Sequence, residues 1–259
     1  MNRSLLEKAI TQTAPLVKQA MFHLMGDPLA YPDLAYALDL AHTVSLPITL
    51  TTAGHLLSSQ RQELFHHPAI RQINFSLNSY NENPQKTSLE TYLETLSRVV
   101  DHLHTHRPDL YINWRLWNIG NDESQSFNHD VFSFINTRFG HRIQTPCDVT
   151  MKKSKKLFGR FYLHFDSLFT WPSLDDQAPP RMRGFCHALS GQFGILCDGR
   201  VVPCCLDKEG VMSLGSLDEA PLEQILASPK ARAIKEGFAR HQRIESLCQH
   251  CTYIDRFSK

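Results

Sequence analysis

Short apolar segments of β-forming residues alternate with helical patterns about five times along the first 170 residues, and this alternation constrains the fold most. It predicts a parallel sheet with crossover helices, built either as an open doubly wound sheet or as a barrel. The predicted strands cover residues 20–25, 47–52, 70–77, 110–117 and 161–165. The predicted helices cover residues 3–20, 33–44, 58–67, 87–105 and 128–138.

In both arrangements ligands bind at the carboxyl ends of the strands. Asp27 could bind an ammonium group there, although an Asp before Pro is often only a turn former. Arg115 could clamp a carboxylate, or it could make an ordinary ion pair. Ser76 and Asn78 would alternate onto one face and could line a pocket, although plain strand-end polarity also explains them. The candidate ligand-binding residues at these strand ends are therefore Gly26, Asp27, Thr52, Ser76, Asn78 and Arg115.

Charge and hydropathy exclude several classes of partner. The chain has 27 basic and 26 acidic side chains and a net charge of +1, so no overall field favours nucleic acid or a membrane surface. No run approaches the roughly 18 apolar residues of a membrane span, and residues 1–10 contain no apolar core of a signal peptide. The sequence thus predicts a cytoplasmic protein acting on a small molecule or peptide, with reduced cysteines that hold metal rather than form disulfides.

The strand–helix alternation stops near residue 170, where a Pro- and Asp-rich stretch begins. We interpret residues 173–185 as a linker between an α/β domain at 1–172 and a second module at 186–259. Six of the seven cysteines lie beyond this linker. A module of this size has a small core, so bound metal would supply much of its folding energy.

Four cysteines of the second module form a candidate metal site. Asp198-Gly199 predicts a two-residue hairpin turn that returns Cys204 toward Cys186. Cys248 and Cys251 form a C-x-x-C pair, which a helix from Pro221 to about Arg240 could bring back over the hairpin. By spacing alone, four thiolates suit zinc and an iron–sulfur cluster equally.

The remaining cysteines leave alternatives open. Cys205 could replace Cys204 as ligand, but neighbouring strand residues point to opposite faces, so one of the two is idle. Cys197 is predicted to pack as a small hydrophobic side chain, and Cys147 to be structural. Buried reduced cysteines without any metal are the remaining interpretation.

Residues 22–29, read as Phe-His-Leu-Met-Gly-Asp-Pro-Leu, resemble the second-strand motif of radical S-adenosylmethionine (AdoMet) proteins, which contacts the amino group of AdoMet. Residues 50–54 resemble the third-strand motif of this family, with Ala53 in place of the usual Asn. Residues 73–77 are similar to the fourth-strand serine segment, and Arg115 matches a basic residue near the cosubstrate. The cysteine pattern of residues 186–251 resembles a SPASM/twitch-type C-terminal domain.

This resemblance implies a partial (β/α)6 barrel that lacks its first strand, followed by a small cysteine-rich iron–sulfur domain. It favours one auxiliary [4Fe–4S] cluster on Cys186, Cys204, Cys248 and Cys251, with zinc as the alternative. It also implies a cosubstrate site for AdoMet at Gly26, Asp27, Pro28, Thr52, Ser76 and Arg115.

The defining C-x3-C-x2-C motif of the family is absent from the sequence, and by the resemblance Met1 falls just after it. Radical modification of a peptide or small molecule, with an electron-donor protein, is therefore expected if such a segment lies upstream. The alternative is a truncated or degenerate, non-catalytic binding or accessory protein with a structural metal.

Two further clusters are interpreted as surface features. His102, His104 and His106 include an i, i+4 pair that could bind metal, but a solvated helix face is favoured. The lysine-rich run at 152–156 could meet phosphate or an acidic peptide, but a mobile charged loop is favoured.

Overall fold

The computed structural model describes residues 1–81, 87–143 and 153–257. Its contacts divide the chain into two units. The larger unit comprises Lys18–Leu168, and the smaller one combines Met1–Val17 with Phe169–Lys259. No helix in the described part of the chain is long and apolar enough to cross a membrane.

The first part of the chain alternates helices with strands, as predicted. Its helices are α1 (Arg3–Thr13), α2 (Leu34–Thr43), α3 (Ser59–Glu63), α4 (Leu89–His106) and α5 (Gln125–Phe139). Its strands are β1 (Ala20–Phe22), β2 (Ile48–Thr52), β3 (Ile70–Ser76), β4 (Tyr111–Ile119), β5 (Ser154–Phe158) and β6 (Phe161–Ser167).

The six strands form one sheet in the order β1-β2-β3-β4-β6-β5. All neighbouring pairs are parallel except β5 with β6. The prediction of a mostly parallel α/β sheet is therefore confirmed. Consecutive parallel strands need crossover connections, and α2, α4 and α5 lie in three of them.

The two faces of this sheet differ in polarity. One face carries large apolar side chains that are almost fully buried, among them Leu50, Phe75 and Trp114. Helix α5 packs on this face, where Phe132 meets Phe165 with ring centroids 5.9 Å apart. The opposite face carries the polar residues that alternate with the apolar ones, and it is therefore the face available to polar ligands.

Strand β5 was not predicted, because the lysine-rich run was interpreted as a mobile loop. Ser154–Phe158 instead pairs antiparallel with β6, and Leu157 is 7% exposed. Lysines are common on edge strands because their charge discourages pairing with other chains. In the sequence, however, the same lysines are typical of an exposed loop, so the strand was not recognised. Lys152 lies outside the described residues.

Among its described residues, the smaller unit contains three short antiparallel strands in the order β7-β8-β9 and, besides α1, three α-helices. The strands are β7 (Gly194–Ile195), β8 (Arg200–Val202) and β9 (Gly215–Ser216). The helices are α6 (Leu222–Leu226), α7 (Pro229–Ala239) and α8 (Ser246–His250). The single helix predicted over 221–240 is two helices, α6 and α7, because Ala227 ends the first and Ser228 caps the second.

Helix α1 belongs to this smaller unit, whereas the sequence interpretation placed it in the 1–172 domain. Leu5 and Ala9 share an apolar cluster with Val201 and Leu222, and the side-chain oxygen of Gln12 accepts the Leu222 amide at 2.6 Å. The predicted linker is also shorter than 173–185, since the Arg181 and Gly184 amides donate to carbonyls of residues 249 and 241. Periodicity predicts a helix but not its packing partner.

Alanine at Gly54 is expected to lower the free energy of unfolding by about 2–5 kcal/mol. Gly54 has φ +77° at the end of β2, which costs an L-residue about 1–2 kcal/mol. A Cβ added at Gly54 would lie only 2.9 Å from Cδ2 of Leu96, whose side chain is fully buried. Such overpacking costs about 1–3 kcal/mol more. Urea unfolding followed by circular dichroism measures the change.

Gly120→Ala is the matched control, because Gly120 has φ +85° but no atom within 4 Å of the added Cβ. It should show only the conformational cost of about 1–2 kcal/mol. Equal destabilisation by the two substitutions would contradict close packing at the end of β2.

Candidate functional site

The four predicted ligand cysteines lie in one apolar cluster of the smaller unit. Cys248 is 8% exposed, and Cys186, Cys204 and Cys251 are half-buried against the same core. The buried members of this cluster other than Cys248 are Ala188, Leu189, Met212, Ala231, Ile234, Phe238, Leu247 and Ile254. The structure therefore brings together thiols that are up to 65 positions apart in the sequence.

Local structure explains how these cysteines meet. The hairpin of β7 and β8 turns the chain back, and the Leu189 amide near Cys186 donates to the carbonyl of Pro203, next to Cys204. Helix α8 contains Cys248 and ends just before Cys251. The predicted two-residue turn is wrong in detail, because Leu196 and Arg200 pair across a three-residue loop. Gly199 takes the left-handed position of that loop at φ +88°.

Burial raises the pKa of all four thiols. It raises the pKa of Cys204 to about 12. The pKa values of Cys186 and Cys248 are raised by burial and by neighbouring thiols, and that of Cys251 is raised by burial. The thiols of Cys204, Cys186 and Cys251 each raise the pKa of Cys248, so the four groups are electrostatically linked. A metal would have to displace their protons, because only thiolates ligate.

The donor set fits a four-thiolate group, which suits iron–sulfur clusters and zinc. Within residues 1–81, 87–143 and 153–257, no three His, Cys, Asp or Glu side chains form a group that could hold a metal ion as they stand. Side-chain rotation within the apolar cluster would be needed to bring the four sulfurs onto one centre.

Two further described cysteines differ in their surroundings. Cys205 lies next to Cys204 and interacts electrostatically with Cys186, Cys204 and Cys251, but it is not among the residues that pack on the apolar cluster. Its position therefore favours Cys204 as the ligand. Cys197 is exposed in the hairpin loop, so the prediction that it packs as a hydrophobic side chain is wrong. Cys147 lies outside the described residues.

Arg243 holds the C-x-x-C segment and was missed by the sequence analysis. Its side chain is 3% exposed and donates to the carbonyls of Cys248 and Cys251 at 3.5 and 3.1 Å. It also pairs with Asp255 at 3.3 Å. Arg181 donates to the same Cys251 carbonyl at 3.2 Å and pairs with Asp255 at 2.6 Å, but it is 43% exposed. No spacing signal in the sequence identifies either arginine.

Asp207 orders the loop that follows Cys204. Its carboxylate is 1% exposed and accepts the amides of Val211 and Met212, both at 2.8 Å. Met212 in turn places its sulfur 3.5 Å from Cys248 Sγ. Through Met212, this buried carboxylate links the loop after Cys204 to Cys248.

In the larger unit, Asp27 joins the ends of β1 and β2. One carboxylate oxygen accepts Thr52 Oγ1 at 2.7 Å and the Ala53 amide at 2.9 Å. The other accepts the Leu29 amide at 2.9 Å and caps the short turn that begins at Pro28. Gly26 is exposed beside it, and Met25 adopts a left-handed φ of +52°. The structure thus brings together the predicted Gly26, Asp27, Pro28 and Thr52.

Ser76 and Arg115 lie on neighbouring strands of the polar face. In the register of the parallel strands, Ser76 of β3 lies beside Arg115 of β4, and Arg115 lies beside His164 of β6. Burial and the Arg115 guanidinium lower the pKa of both His23 and His164. Neither histidine was predicted as a site residue. Asn78 does not continue the alternation of Ser76, because β3 ends at Ser76 and a 3₁₀ turn follows.

Hydrogen-bonded amides continue this polar face toward the amino ends of the strands. Asn113 donates to Asn74 at 2.8 Å, and Asn74 donates to Thr51 at 3.0 Å. Gln72 also donates to Asn74 at 2.8 Å. These bonds fix the polar side chains that lie beneath Ser76 and Arg115.

An aromatic stack also borders the Asp27 site. Tyr92 donates its hydroxyl to the Ala53 carbonyl at 2.6 Å, and the ring of His55 stacks on Tyr92 at 5.0 Å. Burial raises the pKa of Tyr92, and Asp27 raises it further. Burial lowers the pKa of His55. Tertiary packing alone reveals this stack, because its members come from distant segments.

One family model and several solved structures are similar to this chain. Residues 186–252 match the SPASM family, an iron–sulfur cluster-binding domain. The structure of BtrN in complex with AdoMet and 2-DOIA has a TM-score of 0.62 at 15% identity, covering 97% of this chain and 80% of that chain. A comparison with curated protein sequences gives no significant match.

Two other solved structures share the fold. SuiB from Streptococcus suis, bound to precursor peptide SuiA, has a TM-score of 0.56 at 13% identity and covers 99% of this chain and 66% of that chain. The structure of anSMEcpe with bound AdoMet has a TM-score of 0.53 at 13% identity, covering 98% and 74%. At these identities the structural matches show the fold.

Proposed function

We propose that this chain acts in radical-based modification of a peptide or small molecule, on the basis of the SPASM match at residues 186–252 and of a fold similar to that of BtrN. The observation that carries this proposal is the linked group of four buried thiols inside the matched segment. The resemblance of the strand-end motifs supports it.

We propose that Cys186, Cys204, Cys248 and Cys251 hold one auxiliary [4Fe–4S] cluster, with zinc as the alternative occupant. A cluster bound there would supply one-electron redox chemistry. The apolar residues around the thiols would exclude water, while the Arg243 guanidinium and the Asp207 carboxylate would hold the ligand-bearing loops in place.

We propose AdoMet as the cosubstrate at Gly26, Asp27, Pro28, Thr52, Ser76 and Arg115. Asp27 would fix the backbone of the loop that meets the cosubstrate ammonium, and Arg115 would bind its carboxylate. The structures of BtrN and anSMEcpe contain AdoMet, which supports this choice. Reductive cleavage also requires a core cluster, which a C-x3-C-x2-C segment ahead of residue 1 would supply.

A partial (β/α)6 barrel remains the proposed architecture of the larger domain. Strands about 4.8 Å apart would place positions on β1 and β4 about 14 Å apart in a flat sheet. The influence of Arg115 on His23, which follows β1, supports a sheet that curves toward its polar face.

SuiB is seen with a precursor peptide, and BtrN with 2-DOIA. We therefore retain both a peptide and a small molecule as proposed substrate classes, with an electron-donor protein as partner. The balanced net charge of +1 supports neither a nucleic-acid nor a membrane partner. We also propose the cytoplasm as the compartment, because cysteines that hold metal are typical of reducing compartments.

Asp27→Ala is expected to weaken AdoMet binding more than tenfold, a loss of about 1.4 kcal/mol or more. The substitution removes the acceptor for Thr52 Oγ1 and for two amides, so the loop loses its tie to β2. Isothermal titration calorimetry of the cluster-loaded protein measures the affinity.

Asp39→Ala is the matched control, because Asp39 is an exposed carboxylate of α2 that contacts only His67 among the described hydrogen bonds. It should leave AdoMet affinity unchanged. Absence of AdoMet binding to the unaltered, cluster-loaded protein would remove the cosubstrate role from this site.

A further inference from the structure

Three histidines meet on the surface of the larger unit. His66 ends a short 3₁₀ turn, while His102 and His106 occupy successive turns of α4. The Nε2 atoms of His66 and His102 are 3.0 Å apart. The His106 ring lies 4.2 Å from the His102 ring and 6.2 Å from the His66 ring.

Arg107 holds these two segments together. Its guanidinium donates to the carbonyls of His66 and Ile70 at 2.8 and 3.1 Å, and a bidentate pair with Asp109 orients it. The backbone of His66 is therefore anchored to the end of α4, the helix that carries His102 and His106. The close approach of the imidazoles is a consequence of this anchored backbone.

We propose that His66, His102 and His106 form a surface binding site for a divalent transition-metal ion such as Zn²⁺ or Ni²⁺. Imidazole nitrogens select these ions over Mg²⁺ and Ca²⁺, which prefer oxygen ligands. Two nitrogens about 2.0–2.1 Å from a tetrahedral zinc are about 3.3 Å apart, close to the separation of the His66 and His102 nitrogens.

His106 supplies the third ligand after rotation of its side chain. That rotation breaks the 2.8 Å contact between its Nδ1 and the His102 carbonyl, so either ring nitrogen can then face the metal. The i, i+4 spacing of His102 and His106 allows two ligands from one helix face. Two nitrogens are close together in the unbound structure, and metal binding recruits the third.

This site is separate from both sites of the proposed function. His66 precedes the first residue of β3 and His106 ends α4, whereas Asp27 and Thr52 lie at the carboxyl ends of the strands. A metal here would link the segment before β3 to the end of α4. It would therefore stabilise the larger unit without supplying a group to AdoMet or to the thiol cluster.

The test uses cluster-loaded protein, in which the thiols are already occupied. Equilibrium dialysis against Ni²⁺ with metal analysis should show one bound equivalent of Ni²⁺. His66→Gln and His102→Gln should each weaken the Ni²⁺ affinity by more than about tenfold, because loss of even an outer-sphere partner of a metal costs about that much. His129→Gln, which changes an exposed histidine of α5 paired with Asp130, should retain it.

A second measurement separates metal binding from a structural role of these side chains. Zn²⁺ should raise the thermal unfolding temperature of the unaltered protein but not that of His102→Gln. His102 is exposed, so its replacement removes no buried contact that folding requires. Absence of a histidine-dependent equivalent, or an equal loss in His129→Gln, would overturn the proposal.

Discussion

Serine in place of Cys248 is expected to leave the protein without its cluster. Cys248 is 8% exposed and is linked electrostatically to the other three thiols, so no solvent ligand can readily replace it. A hydroxyl is also a poor ligand for the soft metal centre of an iron–sulfur cluster. Anaerobically purified protein should fall from about four irons and four sulfides per chain to near none.

The same change should destabilise the smaller unit. In small metal-dependent modules the free energy of metal binding also stabilises the fold. Structural zinc contributes about 10–16 kcal/mol in finger peptides. We therefore expect Cys248→Ser to lose the visible absorbance of the cluster and to unfold at a much lower urea concentration. Far-UV circular dichroism across a urea series measures the second effect.

Three comparisons make this test specific. Cys197→Ser should keep the cluster, because Cys197 is exposed in the hairpin loop. Cys204→Ser should lose it and Cys205→Ser should keep it, because Cys204 alone of this pair packs on the apolar cluster. A colourless unaltered protein with one zinc would end the iron–sulfur proposal while retaining the four-thiolate site.

The larger unit was predictable where local patterns decide the structure. Helix α4 follows from its 3.6-residue repeat, which buries Leu93, Leu96, Val100 and Leu103. The parallel strands follow from β-rich segments between such helices. Strand β5 escaped prediction because three of its five residues are Ser or Lys, and only its pairing with β6 identifies it.

The thiol group was predictable from cysteine spacing, but its supports were not. Cys186 and Cys248 meet because the hairpin and α8 pack around one apolar cluster, and the spacing already favoured that return. Arg243 and Asp207 act through backbone carbonyls and amides, which every residue possesses, so no sequence pattern identifies their partners. Likewise, the packing partner of α1 depends on residues about 200 positions away.

Methionine in place of Arg243 is expected to destabilise the smaller unit by about 2–5 kcal/mol and to reduce cluster retention. Methionine keeps much of the buried side-chain volume but removes the donors to the Cys248 and Cys251 carbonyls. These carbonyls keep the Arg181 guanidinium and the Cys251 amide as donors, so the loss is that of two hydrogen bonds from a charged donor, about 1.5–3 kcal/mol for a well-formed one. Loss of the donors also frees the C-x-x-C segment, so the effect should appear in cluster occupancy as well as in the urea midpoint.

Arg181→Met is the matched control for this substitution. Arg181 shares two partners with Arg243, the Asp255 carboxylate and the Cys251 carbonyl, but its side chain is 43% exposed rather than 3%. Water can replace its contacts, so the loss should be about 0–1 kcal/mol with full cluster occupancy. Equal effects of the two substitutions would show that the charge on Asp255, not the buried guanidinium, holds the ligand segment. The larger loss at Arg243 instead identifies burial of the donor as the property that positions Cys248 and Cys251.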